Sequence, residues 1–81
     1  MDIDECVKIR INNLIKERGL SENQLAKKSS LSYSTLKNIL NDTTGNPGIK
    51  TIRKICNGFE MDILDFFAGE EFESIRYKKE R

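Results

Sequence analysis

A chain of 81 residues holds one small domain, and its 37% hydrophobic and 33% charged content is that of a compact fold rather than a disordered chain. It contains no histidine and only two cysteines, Cys6 and Cys56, far apart and at no metal-ligand spacing, so a histidine triad is excluded and neither a zinc site nor any other cofactor is expected. The net charge of +1 hides a polarised distribution: residues 24–59 carry six bases and one acid, residues 60–81 seven acids and four bases.

Every periodic segment reads as helix, and none shows the alternation of a strand. The first helix is predicted from Asp4 to Arg18, with Val7, Ile11, Leu14 and Ile15 inward, Ile9 on the wrong side, and Gly19 as its stop. Ser21 opens a second, short helix through a capping box with Gln24, and Leu20 and Leu25 are spaced as a hydrophobic staple around the cap. Leu25 and Ala26 face inward, and the helix ends near Lys28 or Ser29. Ser32 is the next N-cap.

The third helix runs from Tyr33 to about Leu40 with Leu36, Ile39 and Leu40 inward and Thr35 nearer the core side. At about 100° per residue, Ser34, Lys37, Asn38 and Asn41 share the opposite stripe, with Tyr33 at its edge. That stripe holds no Leu, Ile or Val and no carboxylate. The stretch "NDTTGNPG" is a loop. A fourth helix follows from Ile49 to about Asn57 with Ile52, Ile55 and Cys56 inward and Gly58 closing it. Asp62 is expected to cap a last short helix, "ILDFF", with Ile63, Phe66 and Phe67. Phe72 and Ile75 then stand at helical spacing in an acidic-then-basic tail. The expected division is a domain over residues 1–69 and a tail over residues 70–81.

Two helices joined by a tight turn, the second capped by serine and presenting a polar face, read as a helix-turn-helix. An acid-free face suits the neighbourhood of phosphates. Lysine can donate to guanine or phosphate, and asparagine can pair bidentately with adenine.

On "LSENQLAKKSSLSYSTLKNIL" followed by "NPGIKTIRKICNGFEMDILDFF", the stretch from about Ile11 to Phe67 resembles the Cro/repressor helix-turn-helix family, also called the xenobiotic response element family. The resemblance implies an all-α, five-helix lambda-repressor-like domain and a DNA-binding transcriptional regulator, in the repressor sense, acting as a homodimer. Carried onto this chain, it assigns base contacts to Tyr33, Ser34, Lys37 and Asn38. Phosphate contacts fall to Ser21, Ser32, Asn41, Thr44 and Lys50, and the N-termini of the second and third helices offer amides to the backbone. A dimer contact is expected from Phe67, Phe72 and Ile75. The plain alternatives are that Ser21 and Ser32 only cap, that Tyr33 packs on its own helix, and that Cys56 fills the core.

The sequence departs from the family pattern at several places, among them Asp42, which stands where a loop glycine is common. Ser30 holds the turn position usual for glycine. Ile15 and Leu40 replace a common arginine–glutamate pair and are expected to meet. Glu22 replaces a glutamine that often holds phosphate, and a carboxylate cannot hold one.

The rival reading is a protein-interaction module, antitoxin-like, on the same fold. An enzyme is not expected, because there is no histidine, no glycine-rich phosphate loop and little room for a substrate cavity. No apolar run approaches the ~20 residues of a membrane span, and the acidic N-terminus lacks an apolar signal core. The expectation is a cytoplasmic protein whose partner is double-stranded DNA, with no membrane and no small-molecule ligand.

Overall fold

The first helix, α1 (Ile3–Arg18), starts one residue earlier than its periodicity predicts, because Asp2 and Glu5 close a capping box. The Glu5 N–H donates to Asp2 Oδ1 at 3.0 Å, and the Asp2 N–H donates to Glu5 Oε1 at 3.5 Å. The computed structural model describes residues 2–41 and 47–77, and within them the remaining elements are α2 (Glu22–Lys28), α3 (Tyr33–Asn41), α4 (Ile49–Phe59), α5 (Ile63–Phe67) and a 3-10 helix (Glu70–Ile75). No strand occurs among the described residues.

Three helices end in the same way. After α1, α2 and α4 the chain passes through a left-handed residue, Gly19 (φ 65°), Ser30 (φ 57°) and Glu60 (φ 57°). At each, two backbone N–H groups turn back onto the last carbonyls: Gly19 and Leu20 to Lys16 and Ile15, Ser30 and Leu31 to Lys27 and Ala26, Glu60 and Met61 to Asn57 and Cys56. The residue after each left-handed position is apolar, and Leu20, Leu31 and Met61 all pack against the core. Only the first of these stops uses glycine. Ser30 and Glu60 carry the left-handed strain of a β-carbon, on the order of 1–2 kcal/mol each.

The core joins Cys6, Val7, Ile11 and Leu14 of α1 to Leu25 and Ala26 of α2, Leu36 and Ile39 of α3, Ile52, Ile55, Cys56 and Phe59 of α4, Phe66 and Phe72. Ile15 and Leu40 pack half-buried against it. Ile9 is exposed, as its place off the stripe implies. Both cysteines are free and buried, and burial pushes the Cys56 thiol up, only partly offset by the Arg10 charge, as befits a core filler.

Gly58 does not close α4. The helix continues through Phe59, which is buried, and Glu60 makes the turn instead. The reason lies in packing: α4 lies against α2, and a β-carbon at position 58 would sit 2.2 Å from Ser29 Oγ, 3.1 Å from the Ser29 backbone nitrogen and 3.3 Å from Leu25 Cδ1. Glycine at position 58 lets the end of α2 come that close.

Asp62 takes the N-cap position of α5, but its side chain makes no capping hydrogen bond. Residues 70–75 are part of the folded unit, not an appended tail, so a boundary at residue 69 cuts through the core. The 3-10 helix packs on α1, and Phe72 is only 6% exposed. Its ring lies 5.1 Å from that of Phe67 and 6.0 Å from that of Phe66. Phe72 is therefore spent on its own core and offers no surface for a dimer contact.

Arg10, on α1, ties this end together. Its Nε donates to the Phe66 carbonyl at 2.8 Å and Nη2 to the Asp65 carbonyl at 3.0 Å, satisfying the last turn of α5. Nη1 reaches Glu71 Oε1 at 3.4 Å, and Asn13 donates to Glu71 Oε2 at 2.7 Å. A β-carbon at Gly69 would meet Glu71 Oε1 at 2.3 Å and Arg10 Cζ at 2.7 Å, so a larger residue there would push the ends of both clamp side chains aside. Arg18 plays the same part for α4, donating to the Phe59 carbonyl.

Candidate nucleic-acid interface

The α2–turn–α3 unit is built from two serine caps and one left-handed turn. Ser21 Oγ accepts from the Gln24 N–H at 3.1 Å, and Gln24 Oε1 accepts from the Ser21 N–H at 2.8 Å, so the capping box is complete. Ser32 Oγ accepts from the Thr35 N–H at 3.1 Å and donates to Thr35 Oγ1 at 2.8 Å. That second bond holds Thr35 at the exposed cap rather than toward the core, where periodicity had put it. Between the caps, Ser30 takes the left-handed conformation that its place in the turn implies.

From this base α3 buries Leu36 and Ile39 and leaves a polar face outward. Ser34, Asn38 and Asn41 are exposed, and Tyr33 is 43% exposed, so the phenol is not lost to packing. Lys37 is different. Its Nζ lies 2.9 Å from Glu22 Oε1, at the start of α2, and 5.9 Å from the centroid of the Tyr33 ring. Hydrogen bonding to Glu22, then the charges of Glu22 and Tyr33, raise the Lys37 pKa, so the ammonium stays charged.

The face of α3 is free of acid along its own helix, but the folded surface is not: the carboxylate of Glu22 arrives from α2. Sequence reasoning treated Glu22 only as a lost phosphate anchor. The available signal was an acid at the first position of a seven-residue helix packed against the one that carries Lys37. Lys50 is exposed on the first turn of α4 and shares a face with Arg53 and Lys54, three and four positions on. Thr44 lies outside the described residues.

Of the residues expected to meet a partner copy, Phe67 is half-buried and Ile75 half-buried. Phe67 lines a mostly apolar groove of about 260 Å³ with Ile3, Asp4, Val7, Pro47, Ile49 and Ile52. Of its lining, Ile3 and Ile49 are exposed, at 52 and 63%, and Leu64 on α5 is exposed at 80%. Among the described residues no group of His, Cys, Asp and Glu is placed to hold a metal ion, and no helix is long and apolar enough to cross a membrane.

The profile of the family described as "Helix-turn-helix domain" matches residues 9–71. The chain belongs to this helix-turn-helix family. Among solved structures it is similar to the crystal structure of a tyrosine-to-alanine mutant of the restriction-modification controller protein C.Esp1396I, at 25% identity and a TM-score of 0.80, covering 93% of this chain and 95% of that one. No curated protein sequence matches it. This helix-turn-helix protein is thus an all-α DNA-binding regulator of Cro/repressor type, and neither its family nor its fold is enzymatic.

Proposed function

We propose that this helix-turn-helix protein is a sequence-specific regulator that binds double-stranded DNA as a homodimer in the cytoplasm and represses by occupying its operator. The observation that carries this reading is the outward face of α3, which presents Tyr33, Ser34, Lys37, Asn38 and Asn41 from a rigid, doubly capped base. In the major groove, Lys37 and Asn38 read base edges, Tyr33 and Ser34 flank them, and the exposed Ser21, Ser32, Asn41 and Lys50, with Thr44, meet phosphates. Likeness to a restriction-modification controller protein favours a regulatory duty. Repression needs only occupancy, which such a face supplies without further machinery.

A single module of this kind covers roughly 600–1,000 Å² on DNA, too little for tight binding alone. Two copies related by a twofold axis double it and read half-sites ~34 Å apart. The residues we assign to that pairing are Phe67 with the exposed Ile3 and Ile49 of its groove, the exposed Leu64 and the half-buried Ile75, without the buried Phe72.

The test is selection of a preferred duplex from a randomised pool, followed by titration at several salt concentrations. Enrichment of one sequence, bound with affinity that falls steeply with salt, is the expected result. No enrichment, together with salt-insensitive binding, would leave the fold as a platform for a protein partner, the antitoxin-like alternative.

A further inference from the structure

Lys37 is the one cation on α3, and it is already engaged. A free lysine is a flexible point charge that accepts any phosphate within reach. Here Glu22 Oε1 takes one of the three ammonium donors at 2.9 Å, and the Tyr33 ring flanks the same group. Both side chains keep a share of solvent, 41% for Lys37 and 31% for Glu22, so donors remain for a ligand.

Glu22 is not needed to start its own helix, because Ser21 and Gln24 satisfy the cap between them. An acid in a first turn gains from the helix dipole wherever its side chain points. That gain does not account for its bridging to α3.

Resting on the DNA-binding reading, we propose that Glu22 is a specificity-determining positioning residue, which holds Lys37 for base edges and denies it to the phosphate backbone. A phosphate near Lys37 is also near the Glu22 carboxylate, and repulsion from one cancels attraction to the other. The acceptors of a base edge carry only partial charge and bind through a directed hydrogen bond, so the same carboxylate opposes them less than it opposes a phosphate. Guanine O6 and N7 are the acceptors that fit a lysine. The pair also restricts the long side chain before binding, which lowers the ordering cost of the contact. The protein thereby gives up general affinity in exchange for discrimination.

The experiment uses the duplex selected by the wild-type protein, the same duplex changed at the base pair whose identity ceases to matter in Lys37→Ala, and an unrelated duplex. Circular dichroism first verifies that each variant is folded. For Glu22→Gln, binding to the unrelated duplex is expected to tighten, with a log–log salt slope steeper by about one. The preference for the selected duplex over the changed one is expected to fall roughly 3- to 10-fold. In a Lys37→Ala background, Glu22→Gln should leave that preference where it is. Glu22→Ala repeats the measurement without the amide.

An unchanged preference in Glu22→Gln overturns the proposal. So does an equal gain for all three duplexes in both backgrounds, which would make Glu22 a general repulsive charge. If the wild-type protein selects no duplex, the DNA-binding reading fails and takes this inference with it.

Discussion

Ser29 and Gly58 meet so closely that no methyl group fits between them: a β-carbon at position 58 falls 2.2 Å from Ser29 Oγ. This contact sets how near α2, and with it the α3 packed on it, lies to α4. Alanine is the better helix former by about 1 kcal/mol, yet the overpacking that Gly58→Ala imposes costs about 1–3 kcal/mol. The variant is expected to be net destabilised and to bind DNA more weakly than its stability loss alone explains. Ser29 Oγ is also buried with no hydrogen-bond partner. Ser29→Ala should therefore raise stability, by about 1 kcal/mol. Urea unfolding midpoints test both variants, and a destabilised Ser29→Ala would mean that the hydroxyl is satisfied in solution.

Left-handed turns at Ser30 and Glu60 offer a second test. Replacing either by glycine removes the β-carbon strain and adds unfolded-state entropy, for a net gain of about 0.5–1 kcal/mol each. The two sites end different helices and share no hydrogen-bond partner, so their gains should add. Thermal melting of the single and double variants measures this.

The clamp of Arg10, Asn13 and Glu71 makes stability depend on acid. Burial by itself pushes the Glu71 carboxyl up, but the Asn13 amide, its own backbone N–H and the Arg10 guanidinium outweigh burial and hold it below the ordinary 4.5. A group whose folded value is depressed contributes stability above its unfolded value and loses it as pH falls through the folded one. Stability should thus be level from neutral pH down to about 4.5 as far as this group is concerned, then decline. Glu71→Gln should flatten that decline. Arg10→Ala should cost about 2–4 kcal/mol at neutral pH, because it strands two carbonyls and a nearly buried carboxylate. Urea titrations at pH 7, 5, 4 and 3 check all three statements.

The proposed recognition residues separate by what their loss is expected to change. Lys37→Ala and Asn38→Ala are expected to relax preference at one or two base pairs, each by about 1–3 kcal/mol, and to leave binding to unrelated DNA nearly intact. Lys50→Ala should weaken all sequences alike and make the salt slope shallower by about one. Competition binding against a panel of single-base variants gives both readouts.

Leu64 is 80% exposed on α5, three positions before Phe67, and forms no part of the monomer core. Leu64→Glu should therefore leave the melting of the monomer within about 0.5 kcal/mol while shifting the protein toward monomer and weakening operator binding. Sedimentation at several concentrations reads the first effect. A dimer that survives the substitution would place the pairing surface elsewhere.

Much of this architecture is local, and local rules are written in sequence. The capping box at Ser21 and Gln24, the cap at Ser32, the stop at Gly19 and the apolar stripes at Val7–Ile11–Leu14 and Leu36–Ile39 each depend on residues a few positions apart. The hydrogen bonds and helix periods that decide them act over that distance. From these alone the helix-turn-helix, its exposed face and the candidates Tyr33, Ser34, Lys37 and Asn38 could be placed.

What the tertiary structure alone decided are meetings across the chain. Gly58 reads as a helix stop until Ser29 is seen against it, although the stripe Ile52–Ile55–Cys56–Phe59 already ran past it. Phe72 reads as a surface residue until the 3-10 helix folds onto α1, and Glu22 as a lost phosphate contact until its carboxylate reaches Lys37, fifteen positions away. Close approach, burial and charge pairing depend on where whole helices come to rest, and packing of all of them together sets that position.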